Sequence, residues 1–161
     1  MLKPTQSKKF HAGQGSFVII ASEYNGRYVE AMLRAARTEL NRAKARTRVL
    51  RVPGAFEIPV VASALARAAR EDSANNRVSA IICLGVILRG ATTHAAHIGE
   101  GVSRALMEIQ LRYEVPVIHE VLLLENEDQA RERCLGKTHN RGTEAAQTAL
   151  AMAQVMQNLS P

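Results

Sequence analysis

The chain has 161 residues, of which 47% are hydrophobic and 22% charged, a balance typical of one globular domain with a well-filled core. Its longest apolar run, residues 80–88, is shorter than the roughly 20 residues that cross a bilayer. The first residues lack the apolar segment of a signal peptide, so we expect a cytoplasmic protein without membrane contact. The formal net charge of +6 leaves two kinds of anionic partner open, a nucleic acid or a small substrate.

Hydrophobic periodicity predicts strands that alternate with helices along the chain. The first half contains a loose polar arm over 1–15, a strand over 17–21, a helix with apolar spacing from Tyr28 to Leu40, a strand over 47–52 and a helix from about 57 to 70. A polar loop over 72–76 is followed by a strand over 78–85, a helix from about 93 to 113 and a strand from 115 to about 122. The chain ends with a short helix over 127–134, a basic turn over 136–142 and a helix from 143 to about 158.

This order predicts an α/β fold of the flavodoxin-like type, in which a four-stranded parallel sheet lies between helices on both faces. We expect a single domain over 16–161 behind the arm, since no repeat or change of composition interrupts the chain. Ligand sites in such folds lie at the carboxyl ends of the strands. In this chain those ends are 22–26, 53–57, 86–94 and 119–125.

The segment 89–94 (Arg-Gly-Ala-Thr-Thr-His) joins a predicted buried strand to a predicted helix. A helix N-terminus attracts anions through its free N–H groups and its dipole. Capping alone explains a Gly-Thr-Thr helix start equally well, but the place at a strand's carboxyl end favours an anion such as phosphate. His94 follows at once and titrates near neutral pH, as a proton carrier requires. His97 forms an HxxH pair with it, but no nearby acid or cysteine completes a zinc set, so we expect no metal.

Residues at the other strand ends offer contacts to a ligand, although each also has a structural interpretation. Tyr24 either stacks on a planar heterocycle or packs as a lid, and Asn25 either binds a ligand or shapes a turn. Glu57 accepts hydrogen bonds from sugar hydroxyls or merely favours the dipole of its helix, and in isolation the second interpretation is the better one. A basic cluster near the C-terminal end either binds phosphate or forms a solvated face. It consists of Arg133, Lys137 and Arg141.

Several function classes lack their motifs. No GxxxxGK[ST], GxGxxG or GxSxG pattern occurs, which argues against a P-loop NTPase, a dinucleotide dehydrogenase and a serine hydrolase. The arginine-rich stretch 34–51 keeps nucleic-acid binding as an alternative, but aromatics are only 4% of the chain and a solvated face explains the charges. The two cysteines form no CxxC pair and no disulfide framework. We therefore expect a small anionic substrate and no nucleic acid.

Taken together and in this order, these segments resemble the lumazine synthase family of riboflavin biosynthesis. The resemblance lies in residues 53–59 (Pro-Gly-Ala-Phe-Glu-Ile-Pro), 89–94, 115–118 (Val-Pro-Val-Ile), 125–126 (Glu-Asn) and 137–142. It covers roughly residues 16–158 without a large gap. Members of the family condense a ribitylamino-uracil with a dihydroxybutanone phosphate, lose phosphate and water, and need neither cofactor nor metal. The resemblance therefore implies a cofactor-independent transferase.

The resemblance also implies a role for each matching residue. His94 is the expected acid–base catalyst. The residues expected to hold the pyrimidine and the ribityl chain are Tyr24, Asn25, Ala55, Phe56, Glu57, Val86, Ile87, Leu88 and His119. The residues expected to hold the phosphate are Gly90, Ala91, Thr92, Thr93 and Arg133, supported by Lys137, Arg141 and Glu144.

Some positions depart from the family pattern. Glu23 stands where the family often has arginine, and residues 95–97 (Ala-Ala-His) stand where it commonly has an aromatic–acid–aromatic run. Residues 119–120 (His-Glu) replace a more usual aromatic–glycine pair, at a position that the family contributes to a neighbour's pocket. Residues 122–124 (Leu-Leu-Leu) replace a threonine-containing run. These changes bear on substrate affinity, and they keep open an alternative, a non-catalytic flavin- or lumazine-binding protein of the same fold.

Members of the family assemble as homopentamers with active sites between neighbouring subunits, and some close into icosahedral shells. We therefore expect a homopentamer, and a shell as its larger assembly, because residues 136–142 show no insertion relative to shell-forming members. The arm over residues 1–15 is expected to add to the sheet edge of a neighbour. Riboflavin synthase is a further partner that the resemblance implies.

Overall fold

A computed structural model describes residues 15–71 and 78–159; the predicted loop over 72–76 and the predicted arm up to residue 14 lie outside this range. The strands are β1 (Ser16–Ser22), β2 (Arg46–Val52), β3 (Val78–Leu88) and β4 (Val117–Leu124). The helices are α1 (Gly26–Arg42), α2 (Ile58–Glu71), α3 (His94–Tyr113), α4 (Glu127–Ala130) and α5 (Arg141–Leu159). A 3-10 turn (Ala55–Glu57) leads into α2, and a π-helical turn (Arg131–Leu135) follows α4. None of the helices in the described range has both the length and the apolar character needed to span a membrane.

The strands form one parallel sheet in the order β2-β1-β3-β4. The chain moves from β1 to one edge of the sheet and then returns past β1 to β3, so the order reverses between these two strands. In open α/β sheets the crevice outside such a reversal is the usual ligand site. The predicted flavodoxin-like α/β fold is confirmed, and β1 and β3 mark the place where a site is expected.

Alternating side chains of β3 fill two separate cores. Ile82 and Leu84 pack with α1 and α5, whereas Ile81 and Cys83 pack with α2 and α3. Successive residues of a strand point to opposite faces, so this central strand is apolar on both. The helices therefore form one layer of α1 and α5 and a second layer of α2 and α3, with the sheet between them. Burial raises the pKa of the Cys83 thiol, in agreement with an inert core residue.

The strand boundaries differ from the predicted ones at β3 and β4. β3 continues to Leu88 because its last residues pair with Leu123 and Leu124 of β4. The residues from 86 to 88 are therefore a paired strand end, and the loop begins only after them. β4 begins at Val117, after Pro116, whose ring nitrogen cannot donate to the sheet.

Helix α5 begins at Arg141, earlier than the predicted residue 143, because Asn140 caps it. The Asn140 side-chain Oδ1 accepts the backbone N–H of Gly142 at 2.9 Å, and its carbonyl oxygen accepts that of Glu144 at 3.2 Å. Its amide Nδ2 also donates to the carbonyl oxygen of Cys134 at 2.5 Å. Asn140 thereby joins the first turn of α5 to the π-helical turn.

Candidate active site

Asn25 ties the carboxyl ends of β1 and β3 together. It has a φ of 55°, a left-handed conformation that asparagine tolerates, and it is the N-cap of α1. Its side-chain Nδ2 donates to the carbonyl oxygen of Val86 at 2.7 Å. The ring of the preceding Tyr24 is 75% exposed, while its backbone N–H donates to the carbonyl oxygen of Pro53 at 3.0 Å. An exposed aromatic ring therefore lies where β1, β2 and β3 end.

The 3-10 turn before α2 presents an aromatic ring and a carboxylate next to Pro53. Ala55 is buried and anchors the turn, whereas Phe56 is 64% exposed and Glu57 is also exposed. The Glu57 carboxylate lies against the backbone of Gly54, since a Cβ at Gly54 would come within 2.9 Å of its Oε2. The carboxylate therefore lies beside the end of β2, where it can accept hydrogen bonds from a polyol.

The side chains of Val86 and Ile87 are buried in the core. Leu88 is half-buried and packs against the layer of α1 and α5. A ligand at this end of β3 therefore meets mainly the backbone of these residues. The Val86 carbonyl oxygen is already bound by Asn25.

Arg89 fixes the start of the loop between β3 and α3. Its Nη1 donates to both carboxylate oxygens of Glu125, at 2.9 and 3.0 Å. Its backbone N–H donates to the carbonyl oxygen of Leu124 at 2.8 Å. Hydrogen bonds between an arginine and a carboxylate are strong and restrict the orientation of both side chains. The loop is therefore anchored to the end of β4 immediately before the predicted phosphate-binding residues.

The side chain of Thr93, the N-cap of α3, makes no capping hydrogen bond. Thr92 Oγ1 lies 3.4 Å from the His94 backbone nitrogen, a distance at the weak end of hydrogen bonding. A Cβ at Gly90 would meet no atom within 4 Å, so open space adjoins the loop. Residues 90–94 are all exposed. The loop therefore presents hydroxyl and helix N-terminal N–H groups to an anion, with the His94 side chain next to them.

His119 extends from β4 toward α3. Its Nδ1 accepts the backbone N–H of Val121 at 3.3 Å, so the neutral ring carries its hydrogen on Nε2 and donates it to Ser103 Oγ at 2.8 Å. The Ser103 hydroxyl donates in turn to the carbonyl oxygen of Gly99 at 2.7 Å. Burial lowers the pKa of His119 and favours this neutral ring. Because the hydroxyl proton points away from the histidine, the two residues do not form a nucleophile–base pair.

Glu120, Arg141 and Glu144 form a charged cluster on the other face of β4, called the Arg141 cluster below. Arg141 Nε donates to Glu120 Oε2 at 3.0 Å, and its Nη1 donates to Glu144 Oε2 at 2.6 Å. The Glu120 side chain is only 8% exposed. Burial raises the pKa of Glu120 to about 7 despite the opposing effect of Arg141, and the exposed Arg133 is near enough to oppose the rise as well.

The predicted site residues thus fall into two groups. The loop 90–93 and His94 open α3, which packs on one face of the sheet, whereas the Arg141 cluster lies in the layer of α1 and α5 on the other face. Lys137 is exposed in the loop before α5. Among the residues that the structure describes, no group of three or more His, Cys, Asp or Glu side chains is arranged to hold a metal ion.

The sequence singles out Glu120 only as a departure from the family pattern and Glu125 only as part of a matching segment, and it predicts no contact for either of them or for Ser103. Glu120 had a signal, since a carboxyl group inside the apolar pattern of a strand requires a partner. Ser103 and Glu125 are ordinary surface residue types, and their partners His119 and Arg89 are distant in sequence.

Comparison with known proteins points to one family along almost the whole chain. A family profile described as 6,7-dimethyl-8-ribityllumazine synthase matches residues 14–157. The 6,7-dimethyl-8-ribityllumazine synthase of Stenotrophomonas maltophilia (strain R551-3) is 38% identical over 146 residues, which are 89% of this chain and 90% of that protein. The protein of the same name from Xanthomonas campestris pv. campestris (strain B100) is 35% identical over 161 residues, 98% of this chain and 95% of that protein. The resemblance seen in the motifs is confirmed: the chain belongs to the 6,7-dimethyl-8-ribityllumazine synthase family.

Proposed function

We propose that this protein condenses 5-amino-6-(D-ribitylamino)uracil with 3,4-dihydroxy-2-butanone 4-phosphate to give 6,7-dimethyl-8-ribityllumazine, in riboflavin biosynthesis. The observation that carries the proposal is the exposed His94 directly after a Thr-Thr loop at the N-terminus of α3, in a chain of this family. The amine adds to a carbonyl with loss of water, phosphate is eliminated, and ring closure releases a second water. Because these steps move protons and release an anion, a histidine beside an anion-binding loop suits them.

The proposed roles rest on the family match and on where the residues lie. His94 transfers protons, and the exposed ring of Tyr24 stacks on the pyrimidine with Asn25 at its edge. The phosphate is held by Gly90, Ala91, Thr92, Thr93 and Arg133, with Lys137, Arg141 and Glu144 in support. The remaining substrate contacts are Ala55, Phe56 and Glu57 to the ribityl chain, the backbone of Val86, Ile87 and Leu88 to the ring, and His119. The proposed reaction uses no cofactor and no metal ion.

We further propose that each active site lies between two copies of the chain in a homopentamer. Two observations support this assembly. The Arg141 cluster and the nearby Arg133 lie across the sheet from the helix that carries His94, which favours a second copy as the source of the arginines for a given histidine. Large apolar side chains are also exposed around α2 and α3, a pattern typical of subunit contacts. They are Phe56, Val60, Met107, Leu111 and Leu123.

We base proposals for the larger assembly, the partner and the cellular location on the same family membership. An icosahedral shell of pentamers is the larger assembly, and riboflavin synthase is its partner in the next step. We also propose that the protein is cytoplasmic, as is typical of a biosynthetic enzyme family.

A turnover assay with both substrates tests the enzymatic proposal. Product is followed by lumazine fluorescence together with released phosphate, against the spontaneous reaction. We expect His94→Ala to lower kcat by about 10²-fold, the usual scale for an acid–base group. His97→Ala is the matched control, since His97 is an exposed histidine on the same helix, and it should leave kcat unchanged. Wild-type turnover no faster than the spontaneous reaction would refute the proposal, and tight lumazine binding without turnover would favour the non-catalytic alternative.

A further inference from the structure

Glu120 is a buried carboxyl group in an otherwise apolar strand. It lies between Ile118 and Leu122 on the face of β4 that packs against α1 and α5, and its side chain is 8% exposed. A carboxylate in such surroundings is costly unless it is paired and hydrogen-bonded. An apolar residue of similar size at a buried ion pair is often neutral or stabilising. Stability of the fold therefore does not by itself account for a glutamate at this position.

Glu120 holds Arg141 from the strand side. Its Oε2 accepts the hydrogen bond from Arg141 Nε at 3.0 Å, while Glu144 Oε2 accepts from Nη1 at 2.6 Å. The two carboxylates come from different elements, β4 and α5, so together they fix the plane of the guanidinium and not only its distance. Glu144 alone is a neighbour within the first turn of the same helix, and a single contact of this kind leaves the guanidinium free to rotate.

With Nε and Nη1 bound to the two carboxylates, the direction of the third nitrogen of the guanidinium, Nη2, is also determined. Arg141 is half-buried at the start of α5, and Arg133 of the π-helical turn is near enough to influence the Glu120 carboxyl. Both arginines belong to the basic group that the proposed function assigns to the phosphate. A fixed guanidinium loses less conformational entropy on binding an anion than a mobile one.

We propose that Glu120 is a positioning residue, which orients Arg141 for the phosphate-bearing substrate through the hydrogen bond that it accepts from Nε. The proposal rests on the proposed function for the identity of that substrate. Glu120 itself does not touch the substrate. What it contributes is a hydrogen-bond acceptor at a fixed point of β4, and the ionic charge is not required for this role.

Two variants of Glu120 separate the acceptor from the side-chain volume. Glu120→Met keeps a long unbranched side chain but removes the acceptor, and we expect it to raise KM for the phosphate-bearing substrate about tenfold. Glu120→Gln keeps an oxygen acceptor, and KM should stay within about twofold of the wild type. Neither variant should change KM for the ribitylamino substrate. A role confined to folding would give Met and Gln variants that differ in thermal stability but not in the KM of one substrate alone.

A double-variant comparison shows whether Glu120 acts through Arg141. In an Arg141→Met background, Glu120→Met should add no further rise in KM, because the group that it positions is gone. The matched control is Glu114→Met, which breaks the exposed Arg70–Glu114 ion pair of 2.5 Å beyond the C-terminal end of α3 and should leave both KM values unchanged. If Glu120→Met fails to fold, Glu120→Leu takes its place with the same expected result.

The affinity for inorganic phosphate tests the positioning role of Glu120 without requiring turnover. Calorimetric titration with phosphate should show an affinity about tenfold weaker in Glu120→Met and nearly unchanged in Glu120→Gln. If the wild type does not turn over but this phosphate pattern appears, the enzymatic proposal fails and the positioning role stands. If Glu120→Met matches the wild type in phosphate affinity and KM, if the Gln variant is as impaired as the Met variant, or if the wild type binds no phosphate, the positioning role is overturned.

Discussion

At the scale of a single residue, the buried carboxyl group of Glu120 makes the stability of the protein depend on pH. Burial raises its pKa from 4.5 to about 7, although Arg141 and Arg133 oppose the rise. Between these values the folded protein keeps a proton that the unfolded chain has lost, so the free energy of unfolding falls as the pH rises through this window. Below it the carboxyl is protonated in both states, and above it the carboxyl is ionised in both, so the contribution is constant on either side.

Glu120→Gln should remove this pH dependence, because an amide does not titrate. We expect the free energy of unfolding of the variant to increase relative to the wild type by roughly 2–3 kcal/mol between pH 5 and pH 8. Denaturant unfolding at both pH values, at equal protein concentration, measures the difference. Glu114→Gln is the control, since that side chain is 60% exposed and its variant should differ from the wild type equally at both pH values. Parallel curves for Glu120→Gln would contradict the prediction.

The sequence predicts where residues stand along the strands and helices, but it does not show which distant side chains they contact. Tyr24 follows the end of β1 and His94 begins α3, and the local pattern of residues predicts such element ends from neighbouring residues alone. The Glu120–Arg141 contact joins β4 to α5, and no short-range pattern shows which distant side chain a buried carboxyl meets. The ring of His119 was predicted to contact substrate, and only the structure shows its contact with Ser103.

At the scale of elements, the close approach of α5 to α1 depends on Gly142. A Cβ at this residue would overlap the backbone carbonyl oxygen of Met32, and backbone cannot move aside cheaply. Gly142 also follows Arg141 directly, so the same approach sets the position of the Arg141 cluster against the sheet. The packing of α5 against α1 and the position of the Arg141 cluster therefore both require a glycine at residue 142.

Gly142→Ala should destabilise the protein by about 1–3 kcal/mol or more, because overpacking forces the two helices apart. The midpoint of thermal unfolding measures the loss. Gly26→Ala is the matched control at the start of α1, where a Cβ would meet no atom within 4 Å, and alanine there should be neutral or stabilising by up to about 1 kcal/mol. Equal midpoints for the two variants would show that the helices have room for the added methyl group.

The order and type of the elements followed from hydrophobic periodicity, but several of their ends did not. Alternation along β1 and β2, the continuous apolar run of β3 and the helical spacing in α1 are local properties of the chain. β3 extends to Leu88 because β4 offers it partners, and that pairing depends on the assembled sheet. The predicted helix over 127–134 is confirmed only as α4 and a π-helical turn that begins at Arg131, and near the end of this turn Asn140 binds the carbonyl oxygen of Cys134.

At the scale of the whole molecule, the exposed apolar side chains are unevenly placed. Val60 of α2 and Met107 and Leu111 of α3 are between 55% and 70% exposed, and the two α3 residues are one helical turn apart on one face. Sequence alone showed these residues only as helix positions, because an apolar residue at helical spacing is expected to face the core. The structure separates those that face the core from those that the fold leaves exposed.

Leu111→Lys tests whether this surface joins the copies of the proposed pentamer. In a ring of identical copies the lysine would be buried without a charged partner at every subunit interface, which would weaken the assembly. We therefore expect the particle mass in solution, measured by light scattering, to fall to that of monomers or small species. Leu159→Lys is the matched control, because Leu159 of α5 is 71% exposed, against 70% for Leu111, and lies in the other helix layer. An unchanged mass for Leu111→Lys, or an equal loss in both variants, would show that the copies meet elsewhere. Loss of turnover on dissociation, with His94 and its loop still folded, is the result expected if the neighbouring copy supplies the arginines of each site.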